Sequence, residues 1–110
     1  MLAARRRLVE AGAFMIAGSD AGLAPIKPHD VLRFAPEELV AVGMDPAGAL
    51  RAMTSEAARA CGLEHRKGRI APGFDADVLV LDGDPLQDVS AIRSLRAVYA
   101  RGPLAWARPA

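Results

Sequence analysis

The 110-residue sequence has little of several things that usually announce a function. Its one cysteine, Cys61, cannot form a disulfide within the chain, which suits a reducing compartment. Charge of one sign is lacking too. Fourteen basic against thirteen acidic residues leave a net charge of +1, which gives no electrostatic reason to expect nucleic acid or anionic lipid as a partner. Arg5 to Arg7 is the sole basic run, and it suits a solvated helix face. No apolar run approaches the ~20 residues of a membrane span. Aromatic residues make up 5% of a chain that is 52% hydrophobic, so the apolar content is mainly Ala, Val and Leu. That is much apolar content for a chain this short, and it implies apolar surface that meets something outside the chain. The opening stretch imitates a signal peptide, with a basic cluster before an apolar run, but Glu10 and Gly12 interrupt the run. The expected location is cytoplasmic.

What is present is well punctuated. Leu2 to Ala11 consists of good helix formers and stops at Gly12, and Ala13 to Ala17 is then apolar at every position. An all-apolar run of this kind reads as a parallel strand covered on both faces. The nine residues from Gly22 to Asp30, with two prolines and a glycine, read as loop. Pro36 to Val42 predicts a short helix ended by Gly43. Asp45 as N-cap, Pro46 as first residue and Gly62 as stop predict a longer helical run, single or broken near Thr54. Leu50, Met53, Ala57 and Cys61 share one face of it, and Cys61 is expected as a small buried hydrophobe.

From Lys67 the texture becomes β. Ala71-Pro72-Gly73 signals a type II turn and Asp75 to Asp82 a strand, with a hairpin joining Leu95–Arg101 to Leu104–Trp106. The expected fold class is therefore α/β, in two unequal parts: residues 1–66, αβ and helical, and residues 67–110, β.

Chemistry concentrates at Asp20, where the apolar run stops on Ser-Asp between glycines. A carboxylate at the C-terminal tip of a buried strand points into the crevice where such sheets bind ligands, and can serve as a metal ligand, a general base or both. The same spacing also suits Ser19 or Asp20 as a turn or helix cap, and both readings stand. Asp75, Asp77, Asp82 and Asp84 flank a strand and its turns, where Asp serves turn hydrogen bonds. His65 reads as an exposed residue between helix and strand.

The order of these elements, with "GSDAG", "ALRAMTSEAARACGL" and "GRIAPGFDADVLVLDGDPL" in sequence, resembles the C-terminal part of the amidohydrolase superfamily. The likeness is to imidazolonepropionase-like and Xaa-Pro dipeptidase-like metal-dependent hydrolases, from about Leu8 onward. It implies that residues 1–66 are the last helix-strand unit and C-terminal helices of a β/α (TIM-like) barrel. Residues 67–110 would then be strands of a small β-sandwich. It implies that Asp20 binds a divalent metal, Zn2+ foremost, takes the proton of the attacking water and passes it to the departing amine. It implies a substrate-binding place for His29, in the loop after Asp20. The expected activity is hydrolysis of a carbon-nitrogen bond in a small molecule: a non-peptide amide, a cyclic amide or amidine, or a dipeptide. The resembled site also uses a His-x-His pair, a carboxylated Lys or a Glu, and further histidines that find no counterpart here. A β/α barrel takes roughly 250 residues. The chain alone is thus expected to be catalytically incomplete, partnered by a missing N-terminal barrel portion or by copies of itself. The alternative is a non-catalytic, truncated remnant that only self-associates or complements a partner chain.

Strands Ala13–Ala17 and Val78–Leu81 lack the neighbours that parallel and sandwich sheets need on both edges. The isolated chain is therefore expected to sediment as an oligomer or aggregate. A compact monomer that unfolds cooperatively would contradict this.

Overall fold

The computed structural model describes residues 1–22 and 25–110. In chain order it holds α1 (Leu2–Glu10), a 3-10 turn (Val31–Phe34), α2 (Ala35–Ala41), α3 (Pro46–Met53) and α4 (Ser55–Ala60). These are followed by β1 (Val78–Leu81), a second 3-10 turn (Val89–Arg93), β2 (Leu95–Tyr99) and β3 (Leu104–Ala107).

The helix stops act where the glycines predict them. After α1 the Gly12 amide donates to the Val9 carbonyl at 2.9 Å and the Ala13 amide to that of Leu8 at 3.0 Å. This is the Schellman pattern, which needs a left-handed residue, and Gly12 supplies it with φ of 71°. The same pair of bonds closes α2 at Gly43 and α4 at Gly62. At the other end of α3 the Asp45 carboxylate accepts from the Gly48 amide at 2.9 Å, with Pro46 in the first turn. The helical run does break at Thr54, whose φ and ψ of −122° and −94° leave helical space. Its hydroxyl bonds back to the Leu50 carbonyl at 2.8 Å and caps nothing.

The break changes which face is buried. Ala49 and Ala52 of α3 are fully buried and Ala58 of α4 nearly so, while Leu50 and Met53 are half-buried. Cys61 is exposed, against expectation, because α4 starts afresh after Thr54 and its register no longer continues that of α3. Pro36 and Val42 of the α2 region and Val89 complete the interior, with α2 and the second 3-10 turn packed on α3. Gly68 seats the following loop against this unit, since a Cβ there would lie 2.7 Å from the Thr54 carbonyl oxygen.

Ala13 to Ala17 is not a strand. It joins no ladder with any described strand, and Phe14 and Ile16 are about half exposed. An apolar run becomes a strand through its hydrogen-bonded neighbours, and here the Ala17 amide instead donates to the Ala52 carbonyl at 3.0 Å. The loop expected over Gly22–Asp30 is turn and bend where described; Leu23 and Ala24 lie outside the described residues.

The C-terminal strands form one antiparallel sheet in the order β1-β2-β3, with Val80 opposite Ala97 and Val98 opposite Trp106. The Pro72-Gly73 turn closes with the Phe74 amide on the Ala71 carbonyl at 3.1 Å. Around the sheet the acids are spoken for. Asp75 and Asp77 pair with Lys67 at 2.9 and 2.6 Å, and Arg66 reaches Asp75 at 2.8 Å. Asp82 holds Arg96 and Arg108, and the Asp84 carboxylate accepts from the Leu86 amide at 2.9 Å. Hydrogen bonds from Lys67 hold the Asp75 and Asp77 carboxyls below the usual carboxylate range and raise Lys67 in turn.

Two outcomes follow from this packing. Ala52→Leu forces a large side chain into a closed face and is expected to cost about 1–3 kcal/mol in urea unfolding. The Lys67 cluster sets a pH window. Depressed carboxyls contribute stability above about pH 4 that is lost as pH falls through their folded values, and the raised Lys67 contribution is lost only above about pH 10.4. Lys67→Met should therefore lower the thermal midpoint at neutral pH, with an effect that shrinks in acid as pH falls through the folded carboxyl values. An equal effect at both would rule out the charge cluster as the cause.

Candidate functional site

The apolar segment from Ala13 ends in a groove of about 230 Å³, where Gly18, Ser19 and Asp20 meet Arg5 of α1, Lys27 and Glu38 of α2. A second groove of similar size runs on from it along Met15 to Gly18 and over Leu39 and Val42. Local chemistry shapes the tip. The Ser19 hydroxyl accepts from the Ala21 amide at 3.3 Å, and the Gly22 amide donates to the Lys27 carbonyl at 3.1 Å, closing the loop. Asp20 itself has φ of 47°, in left-handed space that Asp tolerates better than most residues.

Ser19 therefore performs the turn-capping role, and the Asp20 carboxylate accepts no backbone amide among the described residues. Its partner is the Lys27 ammonium. That hydrogen bond, with the attraction of the charge behind it, holds the Asp20 carboxyl below the usual carboxylate range. The Asp20 side chain is 82% exposed and that of Lys27 is 39% exposed, so the pair stands at the mouth of the groove.

Lys27 is the residue of this candidate site that the sequence alone does not point to. The one available signal was a lone lysine between Pro25 and Pro28 in the loop following Asp20. His29 sits in the next turn, exposed, and is not among the residues that line either groove. His65 is exposed in the turns after α4.

Chemically, the tip offers one ionised carboxylate and one ammonium. Asp20 suits a hard cation as a single oxygen donor, or a proton as a base. No group of three His, Cys, Asp or Glu side chains converges among the described residues. The residues present thus do not by themselves fit a bound divalent ion, which needs at least three protein ligands in a catalytic zinc site. No helix among the described residues is long and apolar enough to cross a membrane.

The chain is similar to known hydrolases over nearly its whole length. It is 31% identical over 107 residues to the imidazolonepropionase of Thermoplasma volcanium, covering 94% of this chain and 26% of that protein. A Xaa-Pro dipeptidase solved with methionine bound in its active site superposes with a TM-score of 0.87 at 26% identity, over 97% of this chain and 25% of that one. A molinate hydrolase superposes at 0.84 with 29% identity, over 91% of this chain and 25% of its own. The chain spans about a quarter of the length of each of these relatives. A sequence profile described as "Amidohydrolase family" matches residues 1–102, and with that match the chain belongs to the amidohydrolase family.

Proposed function

We propose that this chain is the C-terminal part of a metal-dependent hydrolase of carbon-nitrogen bonds, in cyclic amides or dipeptides. Residues 1–66 would belong to its β/α barrel and residues 67–110 to a β-sandwich. The observation that carries the reading is the placement of Asp20. The turn is capped by Ser19, which leaves the Asp20 carboxylate free of backbone duty at the end of an apolar segment and at the mouth of a groove.

The low carboxyl pKa keeps Asp20 ionised at neutral pH, the state that a metal ligand requires. From there it holds the proton lost by the attacking water and delivers it to the departing amine. A divalent metal, zinc foremost, would supply the polarisation of water that makes such attack feasible near pH 7. Asp20 would be one of its donors, and the others would come from outside the described residues. His29, exposed one turn beyond Lys27, would meet the substrate from the loop side. Cytoplasmic location fits the single free thiol.

The second reading, a non-catalytic remnant that self-associates, draws on the small interior. Large apolar side chains such as Phe14, Ile70 and Leu104 stand more than half exposed and would be covered by other copies.

The test uses the barrel completed by a fused or co-expressed N-terminal part. Asp20→Asn removes the negative donor and the base together, and loss of a general base alone costs roughly 100-fold to 10,000-fold. Asp77→Asn is the control, because Asp77 holds Lys67 and the Arg101 amide and should cost stability while activity per folded molecule persists. Hydrolysis rates are normalised to folded protein by thermal unfolding. Near-wild-type turnover in Asp20→Asn would remove the proposed role.

A further inference from the structure

The break at Thr54 lies away from the groove, and its chemistry reaches the groove through one carbonyl. In an unbroken helix the Thr54 amide would donate to the Leu50 carbonyl and the Glu56 amide to that of Ala52. Neither bond forms among the described residues. The Thr54 amide turns to the Arg51 carbonyl at 3.1 Å, and the Thr54 hydroxyl takes its place on the Leu50 carbonyl at 2.8 Å. A hydroxyl bonded back by four residues competes with the backbone ladder and bends a helix. Here the chain leaves helical space and α4 starts afresh at Ser55. The Ala52 carbonyl is left without an amide from its own helix, and it accepts from Ala17 at 3.0 Å instead.

That bond matters for Asp20, three residues farther on. Among the described residues it is the one backbone bond that ties residues 14–20 to the helices. Thr54 is itself exposed and lines neither groove, so its effect on the site passes through the backbone. We propose that Thr54 is a positioning residue for Asp20: its hydroxyl ends α3 and so keeps the Ala52 carbonyl open to the Ala17 amide. This rests on the reading of Asp20 as the carboxylate that serves the reacting bond. Without the hydroxyl, the Leu50 carbonyl draws the Thr54 amide back into the ladder and the helix runs on. The Glu56 amide then competes with Ala17 for Ala52, and the segment that carries Asp20 loses its anchor. A misplacement of about 1 Å at a reacting group can cost roughly 100-fold in rate.

The test uses the barrel completed by the fused or co-expressed N-terminal part, with rates normalised to folded protein by thermal unfolding. Thr54→Ala removes the hydroxyl and opens no cavity, because the residue is exposed. It should lower kcat roughly 10-fold to 100-fold with KM within about twofold, since a displaced Asp20 affects the reacting bond more than the fit of the substrate. Hydrogen exchange at the Ala17 amide, read in overlapping peptides by mass spectrometry, should quicken roughly fivefold, the scale of one lost hydrogen bond. Thr54→Ser keeps the hydroxyl and should restore both readouts. Unchanged kcat in Thr54→Ala, a loss of kcat without faster exchange at Ala17, or a loss that Thr54→Ser does not restore would overturn the proposal. Asp20→Asn separates it from the reading beneath it. Full turnover in Asp20→Asn removes both, whereas lost turnover there beside full kcat in Thr54→Ala removes only the role of Thr54.

Discussion

The structure depends on the closeness that alanine permits on one face of α3. Ala49 and Ala52 present only methyl groups, so α2, the Val89 turn and the segment before Asp20 come near to the helix backbone. Close approach is what brings the Ala17 amide within 3.0 Å of the Ala52 carbonyl, a group near the end of α3. The last carbonyls of any helix lack intrahelical donors, and the break at Thr54 creates such an end in mid-run. The segment that carries Asp20 is thereby anchored to the helices without belonging to a sheet. Small side chains bury little area each, at about 25 cal/mol per Å² of apolar surface, so this arrangement trades stabilising area for fine placement.

Charge does the corresponding work around the sheet. Glu37 of α2 pairs with Arg93, which also lies over the Phe34 ring at 5.3 Å, and this joins the helical half to the turn that leads into β2. Asp82 at the end of β1 holds Arg96 of β2 and Arg108 just beyond β3, so one carboxylate spans all three strands. Exposed pairs of this kind contribute little to stability, so their effect lies in fixing register. The faces of the sheet are lightly covered, with Leu79, Leu104 and Trp106 about half exposed, and apolar burial contributes correspondingly little there.

What the sequence made legible was local. Glycines after helices, Asp-Pro before one, and the Arg-Gly-Pro turn of the hairpin each act within a few residues, and each stands where its chemistry predicts. The composition of Ala13 to Ala17 suits a strand, yet a ladder is a property of neighbours that composition does not contain. Extending one helical period through Thr54 puts Cys61 inside, but the break shifts the phase of everything after it. Asp20 is a candidate from sequence because acid after an apolar run is a sequence pattern, and the structure sets it at the mouth of a groove. Lys27 was missed because its meeting with Asp20 is made by the loop's closure at Gly22, which no periodicity announces.

The bond between Ala17 and Ala52 also orders events in time. A ribosome releases Ala17 well before Ala52, and the acceptor is ready only when α3 has formed up to its break at Thr54. Helix α1 is closed by its own glycine, so its end depends on no residue made later. The segment that carries Asp20 therefore waits for a partner made later, and its anchoring to the helices cannot precede the synthesis of Ala52.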